Sequence, residues 1–345
     1  MGLMVPGTDS RAGRVLAQLF DPDLGWCPNP ETGRGVQHFD GNACRVGPRP
    51  LVAPKSPALR RVLTVGCSFT LGEEVEDTQA WPAVLDAARD DVEVANMGVA
   101  AFGIDQALLR YRRDGATLEP DEVWLGFLPV AALRVVTAYR PALRHWTPLA
   151  LFKPRFVLAR EGGLELMPNP AGSLEETARL ITDQKAFFGA VGLSDAWVSG
   201  NPAAYAPRGS HWSHHSSLAR IALTLGERSQ RHPGSEMRDP ESELSRLLLA
   251  ITVECERDVR GNGARFRFLV LPGRSDLEDL ADRSRPYWGS LSEALLDAGV
   301  EVVDCSQALA AEGGHAEDAL WAPRGHYSVR GNRVIADYLD AVLER

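Results

Sequence analysis

Short apolar runs alternate with helical spacings over much of the chain. Arg61-Val-Leu-Thr-Val-Gly66 is a β-rich run closed by glycine, and Thr78 to Ala88 carries Trp81, Val84, Leu85 and Ala88 at helical spacing. Val92-Glu-Val-Ala-Asn96 predicts a second strand, Ile104 to Arg113 a helix with Ala107, Leu108 and Tyr111 inward, and Glu122-Val-Trp-Leu-Gly-Phe127 a third strand. Near the C-terminus the pattern resumes. It predicts a helix over Glu243 to Val259, a strand at Phe266 to Leu271, a helix over Tyr287 to Ala298, a strand at Val300 to Asp304 and a last helix from Val329 to Leu343. Five strands alternating with helices imply an α/β fold with a parallel sheet covered on both faces.

Two stretches lack this order. Residues 15–60 are rich in proline and glycine, so 1–60 is expected to be an irregular lead-in packed on the domain that occupies 61–345. Between Ala131 and Pro240 prolines at 141, 148, 154, 168, 170, 202, 207 and 233 interrupt the periodicity. Gly162-Gly163 there predicts a hairpin between Phe156-Val-Leu158 and Leu164-Glu-Leu-Met167. This stretch, 131–240, reads as a large insertion after the third strand. Insertions at that edge of a parallel sheet lie where ligands bind, so a wall or lid of the pocket is expected from it.

Composition narrows the partners. The chain has 345 residues and a formal charge of -9, a field that repels phosphate backbones and anionic membranes, so neither nucleic acid nor a membrane is an expected partner. Only Lys55, Lys153 and Lys185 are lysines, and the arginines are scattered rather than gathered into a patch. Five cysteines without a C-x-x-C pair suggest neither a disulfide framework nor a zinc site, and fit a reducing compartment. Met1 to Arg14 has no apolar core of signal-peptide length, and no stretch reaches the ~18 apolar residues of a membrane span. A cytoplasmic protein is expected, with the oligomeric state open.

The segment richest in chemistry is Val65-Gly66-Cys67-Ser68-Phe69-Thr70-Leu71-Gly72, a strand that ends in a small-residue turn and presents Ser68 at its C-terminal edge. A serine so placed has its own backbone N–H free at the start of the next helix, where it can stabilise an acyl-transfer oxyanion. Asn96-Met-Gly-Val-Ala-Ala101-Phe-Gly103 offers a second N–H-rich turn, and Arg324-Gly-His326-Tyr-Ser328 sets a histidine just before the last helix. Imidazole is the side chain suited to taking and returning a proton near neutral pH, and serine needs such a base to become a nucleophile.

These segments resemble the SGNH/GDSL hydrolase family, in particular its divergent bacterial members. The residues that carry the likeness are Gly66-Cys-Ser-Phe-Thr-Leu-Gly-Glu-Glu-Val-Glu-Asp77, Trp81-Pro82, Asn96-Met-Gly-Val99, Asp105-Gln-Ala-Leu108 and Gly325-His-Tyr-Ser-Val-Arg-Gly-Asn-Arg-Val-Ile-Ala336. They run in the family's order from about Leu24-Gly-Trp26 to the C-terminus. The resemblance implies a three-layer, flavodoxin-like α/β/α fold with a five-stranded parallel sheet. It implies a serine esterase or acyltransferase with Ser68 as nucleophile and His326 as general base, acting on a small-molecule or carrier-bound acyl ester without metal or cofactor. The backbone N–H groups of Ser68 and Ala101 are the implied oxyanion donors.

The sequence departs from the family at three places. Ala101 stands where the family has glycine. Val130, in Phe127-Leu-Pro-Val130-Ala-Ala-Leu-Arg134, stands in the stretch where it has an asparagine, and Pro323 where it has the aspartate that orients the histidine. Asp318 and Glu317 are the nearest candidates to orient His326 in its place, and Arg134 is a candidate substrate or oxyanion contact. An alternative is a catalytically degenerate member that binds an acylated ligand or partner. Plainer readings cover the remaining residues: Cys67 as a buried small hydrophobe, His211, His214 and His215 as chance histidines of a serine-rich loop, His315 as part of a turn, Asp105 and Gln106 as helix-opening residues, and Glu73 and Glu74 as solvated first-turn charges.

Overall fold

The computed structural model describes residues 11–30, 33–51, 54–143, 149–192, 195–230, 233–283 and 285–344; Pro148 and most of residues 1–14 lie outside them. Five strands, β1 (Arg60–Gly66), β2 (Val92–Gly98), β3 (Glu122–Phe127), β4 (Arg265–Val270) and β5 (Val302–Asp304), form one sheet in the order β5-β4-β3-β1-β2. Every pairing is parallel. β2 and β3 are buried at every residue, as strands covered on both faces must be.

The helices around this sheet include α1 (Ser68–Leu71), α2 (Trp81–Ala88), α3 (Ile104–Arg113), α4 (Glu243–Gly261), α5 (Gly289–Asp297) and α6 (Val329–Leu343). Alternation along the strands sorts them into two layers. Val62 and Trp124 join the cluster built by Val84 and Leu85 of α2 and Ile335 and Leu339 of α6, and the Trp81 and Trp124 rings stack at 6.3 Å. Leu63 lies one residue along from Val62 and sits with Tyr111 of α3 beside Gly115, and α3 packs on α4. The fold is therefore three-layered α/β/α, as expected. Its strand order 2-1-3-4-5 is that of a doubly wound sheet whose winding reverses between β1 and β3, so the crevice at their C-terminal ends is the ligand-binding place of such folds.

Several boundaries differ from the sequence expectation for local reasons. α2 begins at Trp81 because a 3-10 turn, Asp77–Gln79, comes first and Pro82 suits a helix start. α5 begins at Gly289 because the Tyr287 hydroxyl and the Trp288 indole N–H are bound to Asp276 and Asp304. β2 runs on to Gly98, in register with Gly66 of β1.

The chain divides into two compact units, one of Pro28–Ala132 with Met237–Arg345 and one of Met1–Cys27 with Leu133–Glu236. The expected lead-in thus divides at Cys27, and it holds a helix at Arg11–Leu19. Its second half is tied to the sheet unit by arginines that satisfy backbone carbonyls, Arg49 on Asp86, Arg89 and Val92 and Arg110 on Ala43 and Met97. The other unit is more helical than its broken periodicity suggests, with helices at Leu174–Thr182, Gln184–Val191 and Ser217–Gln230 among others. Ser173 and Asp183 cap the first two through their side chains. The expected hairpin is present, with Arg155–Leu158 antiparallel to Leu164–Met167 and both Gly162 and Gly163 at positive φ.

Candidate active site

β1 ends at Gly66 and α1 begins at Ser68, so the serine sits on the turn at the C-terminal edge, beside the winding reversal. Close packing dictates the glycine. A Cβ on Gly66 would lie 2.4 Å from Thr70 Oγ1 and 2.7 Å from the Gly126 carbonyl, and its φ of 153° is one that side chains rarely adopt. α1 lasts one turn because Gly72 leaves it in the left-handed conformation at φ 78°, its N–H bonded back to the Ser68 carbonyl. The carbonyls exposed at this early ending are taken up by two buried side chains. Asn96 Nδ2 donates to the carbonyls of Thr70 and Leu71. The Arg45 guanidinium donates to the carbonyls of Leu71, Gly72 and Val75 at 2.5–2.6 Å and to Asp77 at 2.9 Å.

His326 arrives from the other end of the sequence. The Trp321–Tyr327 bridge closes a tight loop in which Gly325 is at φ 93° and the Ala322 N–H bonds to the His326 carbonyl. Ser328 caps α6 through its hydroxyl, and Asn332 fastens the loop to α2 by accepting from the Trp81 N–H and donating to the carbonyls of Tyr327 and Ser328. The Trp81 indole N–H in turn donates to the Phe69 carbonyl, so α1, α2 and the histidine loop form one connected framework. Phe69 packs against the His326 ring with centroids 5.1 Å apart, and the Tyr327 hydroxyl donates to the Pro272 carbonyl after β4.

This framework brings His326 Nε2 to 3.0 Å from Ser68 Oγ. The other ring nitrogen, Nδ1, lies 2.7 Å from the carboxylate of Glu74. Glu74 also accepts from the backbone N–H groups of Arg324 and His326, at 2.8 and 3.1 Å, and its side chain is 6% exposed. Burial pushes its carboxyl upward, but the hydrogen bonds from His326 and Arg324 outweigh burial and hold it below the ordinary carboxylate range. Glu74 therefore orients the imidazole, a correction to the reading of Glu73 and Glu74 as solvated charges. The candidates Asp318 and Glu317 do not: Asp318 is 85% exposed on its side chain and pairs with Arg274, and Glu317 caps the turn Asp318–Leu320 by accepting from the Ala319 N–H. The acid that Pro323 cannot supply comes from the loop that follows Ser68, 252 residues away in sequence.

Ala101 is the third residue of a turn closed by the Phe102 N–H on the Val99 carbonyl, and its φ is +67°. That left-handed conformation is what glycine adopts freely, and an alanine held there costs about 1 kcal/mol. Ser68, first residue of α1, has no intrahelical acceptor for its N–H. After β3, the Val130 N–H donates to the carboxylate of Asp276, which also receives the Gly273 N–H at 2.7 Å and the Tyr287 hydroxyl. Burial pushes the Asp276 carboxyl up to about 6. Val130 thus gives this edge a backbone donor to Asp276, while its side chain packs on the core cluster.

Arg134 is buried in the 3-10 segment Pro129–Val136, at the beginning of the other compact unit. Cys67 is buried in the core cluster beside Trp321 and Tyr327. His211 and His214 are engaged locally, with the Ser213 hydroxyl and the Gly209 N–H, and among the described residues no group of three His, Cys, Asp or Glu is placed to hold a metal ion. Gln106 helps close the start of α3 by accepting from the Gly103 N–H. No described helix is long and apolar enough to cross a membrane.

No family model matches the chain, and no curated protein matches it. Among solved structures it is similar to a member of the lipolytic protein G-D-S-L family from Veillonella parvula DSM 2008 (12% identity, 83% of this chain and 98% of that one, TM-score 0.38). It is also similar to a lipase/acylhydrolase from Enterococcus faecalis (12%, 83% and 95%, TM-score 0.39) and to an acetyl xylan esterase from Geobacillus stearothermophilus (11%, 81% and 92%, TM-score 0.40).

Proposed function

We propose that the chain is a serine acyl hydrolase or O-acyltransferase of the SGNH/GDSL type. One observation carries the reading: Ser68 Oγ, both nitrogens of His326 and the Glu74 carboxylate lie in a continuous hydrogen-bonded line. That line is what a hydroxyl nucleophile needs, a base within reach and an acid fixing the base's tautomer.

In this reading Nε2 takes the Ser68 proton as Oγ bonds to the acyl carbon, and the carbonyl oxygen becomes an oxyanion facing the N–H groups of Ser68 and Ala101. The intermediate collapses with cleavage of the bond to the leaving alcohol or thiol, which departs with the proton from Nε2. Water or an acceptor alcohol then gives its proton to Nε2 and attacks the acyl-enzyme, releasing acid or new ester and restoring Ser68. Glu74, held ionised by its donors, keeps Nδ1 protonated and stabilises the imidazolium. The five cysteines, all buried and unbridged, fit a cytoplasmic location.

A second reading, a binder of acylated ligands, is favoured only by Val130, which supplies no side-chain oxyanion donor. Hydrolysis of a panel of acyl esters of increasing chain length separates the two. The wild type turns over at least one of them and Ser68→Ala none; equal rates for both proteins would end the hydrolase reading.

A further inference from the structure

The catalytic line uses one of two adjacent glutamates. The other, Glu73, lies on the opposite side of the imidazole: its carboxylate is 3.5 Å from His326 Nε2, the nitrogen that serves Ser68. Its backbone is pinned at both ends, the N–H on the Ser68 carbonyl at 3.1 Å and its own carbonyl receiving Gln37 Nε2 at 2.7 Å. The side chain is 19% exposed, so the carboxylate is positioned yet reachable from solvent. Nδ1 and its partner Glu74 hold one side of the ring; Nε2, Ser68 and Glu73 share the other, where an alcohol must stand to exchange its proton with Nε2.

The charges at this spot do not cancel. Among the described residues the guanidinium paired with Glu73 and Glu74 is Arg324, whose side chain is 64% exposed and whose nitrogens lie 3.6 Å from Glu73 and 3.3 Å from Glu74. With His326 neutral the cluster carries a net negative charge, on a chain that is itself anionic overall. Resting on the acyl-transfer reading above, we infer that Glu73 reads the alcohol side of the substrate and selects leaving or acceptor alcohols that carry positive charge. A cation a few ångströms from this carboxylate gains on the order of tenfold in rate over an uncharged alcohol of equal shape, and an anion loses as much.

The test uses two phosphonothioate esters that differ only in leaving group, thiocholine against its uncharged carbon isostere 3,3-dimethylbutanethiol. Each reacts by forming a Ser68 Oγ–P bond and breaking P–S, the thiol leaving with the serine's proton. The second-order rate of adduct formation is read by intact mass, beside a small fluorophosphonate as control. The wild type reacts roughly tenfold faster with the cationic ester, Glu73→Gln brings the ratio near one, and Glu73→Lys inverts it. A wild-type ratio near one, or a ratio that survives Glu73→Gln, overturns the inference. Failure of both esters on a protein that the fluorophosphonate still labels also overturns it while leaving the acyl-transfer reading standing. Failure of all three reagents overturns that reading and the inference together.

Discussion

Glu74 shows how a single side chain decides what the site can do. Its carboxylate takes three hydrogen bonds from one loop, two from backbone N–H groups and one from the imidazole, so removing its charge leaves the loop's donors poorly matched and frees the ring to adopt the wrong tautomer. Glu74→Gln is expected to lower kcat by about 10³–10⁴-fold in steady-state ester hydrolysis, whereas Glu317→Gln and Asp318→Asn change it less than about twofold. A reversed ranking would return the orienting role to the acids nearer His326 in sequence. Ser68 and His326 were legible in the sequence because each lies in a short run whose turn chemistry is local. Glu74 was not, because its partner is 252 residues away and because the left-handed exit at Gly72 follows from close packing against Ala80 and Arg45.

At the scale of elements, the site is held by short pieces tied through buried polar side chains. α1 is a single turn and has no stability of its own; its terminal carbonyls are satisfied by Arg45 and Asn96. Burial presses the Arg45 guanidinium below its ordinary value, and its bond to Asp77 opposes that shift. Arg45→Met should cost about 3–5 kcal/mol in urea unfolding, since it strips a buried guanidinium from the carbonyls of Leu71, Gly72 and Val75 and from Asp77 at once, leaving Leu71 to Asn96 and Asp77 to His38. A cost below about 1 kcal/mol would mean that water replaces the guanidinium readily. The five strands followed from short β-rich apolar runs, and the helices Ile104–Arg113 and Val329–Leu343 from periodicity, since each helix buries a regular face. Most helices of Leu133–Glu236 did not, because they are short and broken by prolines and by caps such as Ser173 and Asp183 that mask their spacing.

For the whole molecule, the strand order sets where chemistry can happen, and the edge beyond β1 and β3 must be held rigid for Ser68 to stay aligned. Asp276 does this by joining the loop after β4 to the segment after β3 through Gly273 and Val130. The rigidity has a pH signature. A carboxyl pushed from the ordinary range up to about 6 by burial binds its proton more tightly folded than unfolded, so stability from this group falls as pH rises from about 4 to 6 and is level above. The difference in unfolding free energy between wild type and Asp276→Asn, followed by urea titration, should fall by about 2 kcal/mol over that interval and stay flat from pH 7 to 8. A difference independent of pH would show Asp276 ionised at its usual value.

The central claim is that Ser68, His326 and Glu74 act as one unit, and the most direct test needs no substrate: treat the pure protein with a small fluorophosphonate and weigh it intact, wild type beside Ser68→Ala, His326→Ala and Glu74→Gln. A single adduct is expected on the wild type, none on Ser68→Ala or His326→Ala, and labelling of Glu74→Gln slowed by at least a hundredfold. An unlabelled wild type, or a Glu74→Gln protein labelled at the wild-type rate, would contradict it.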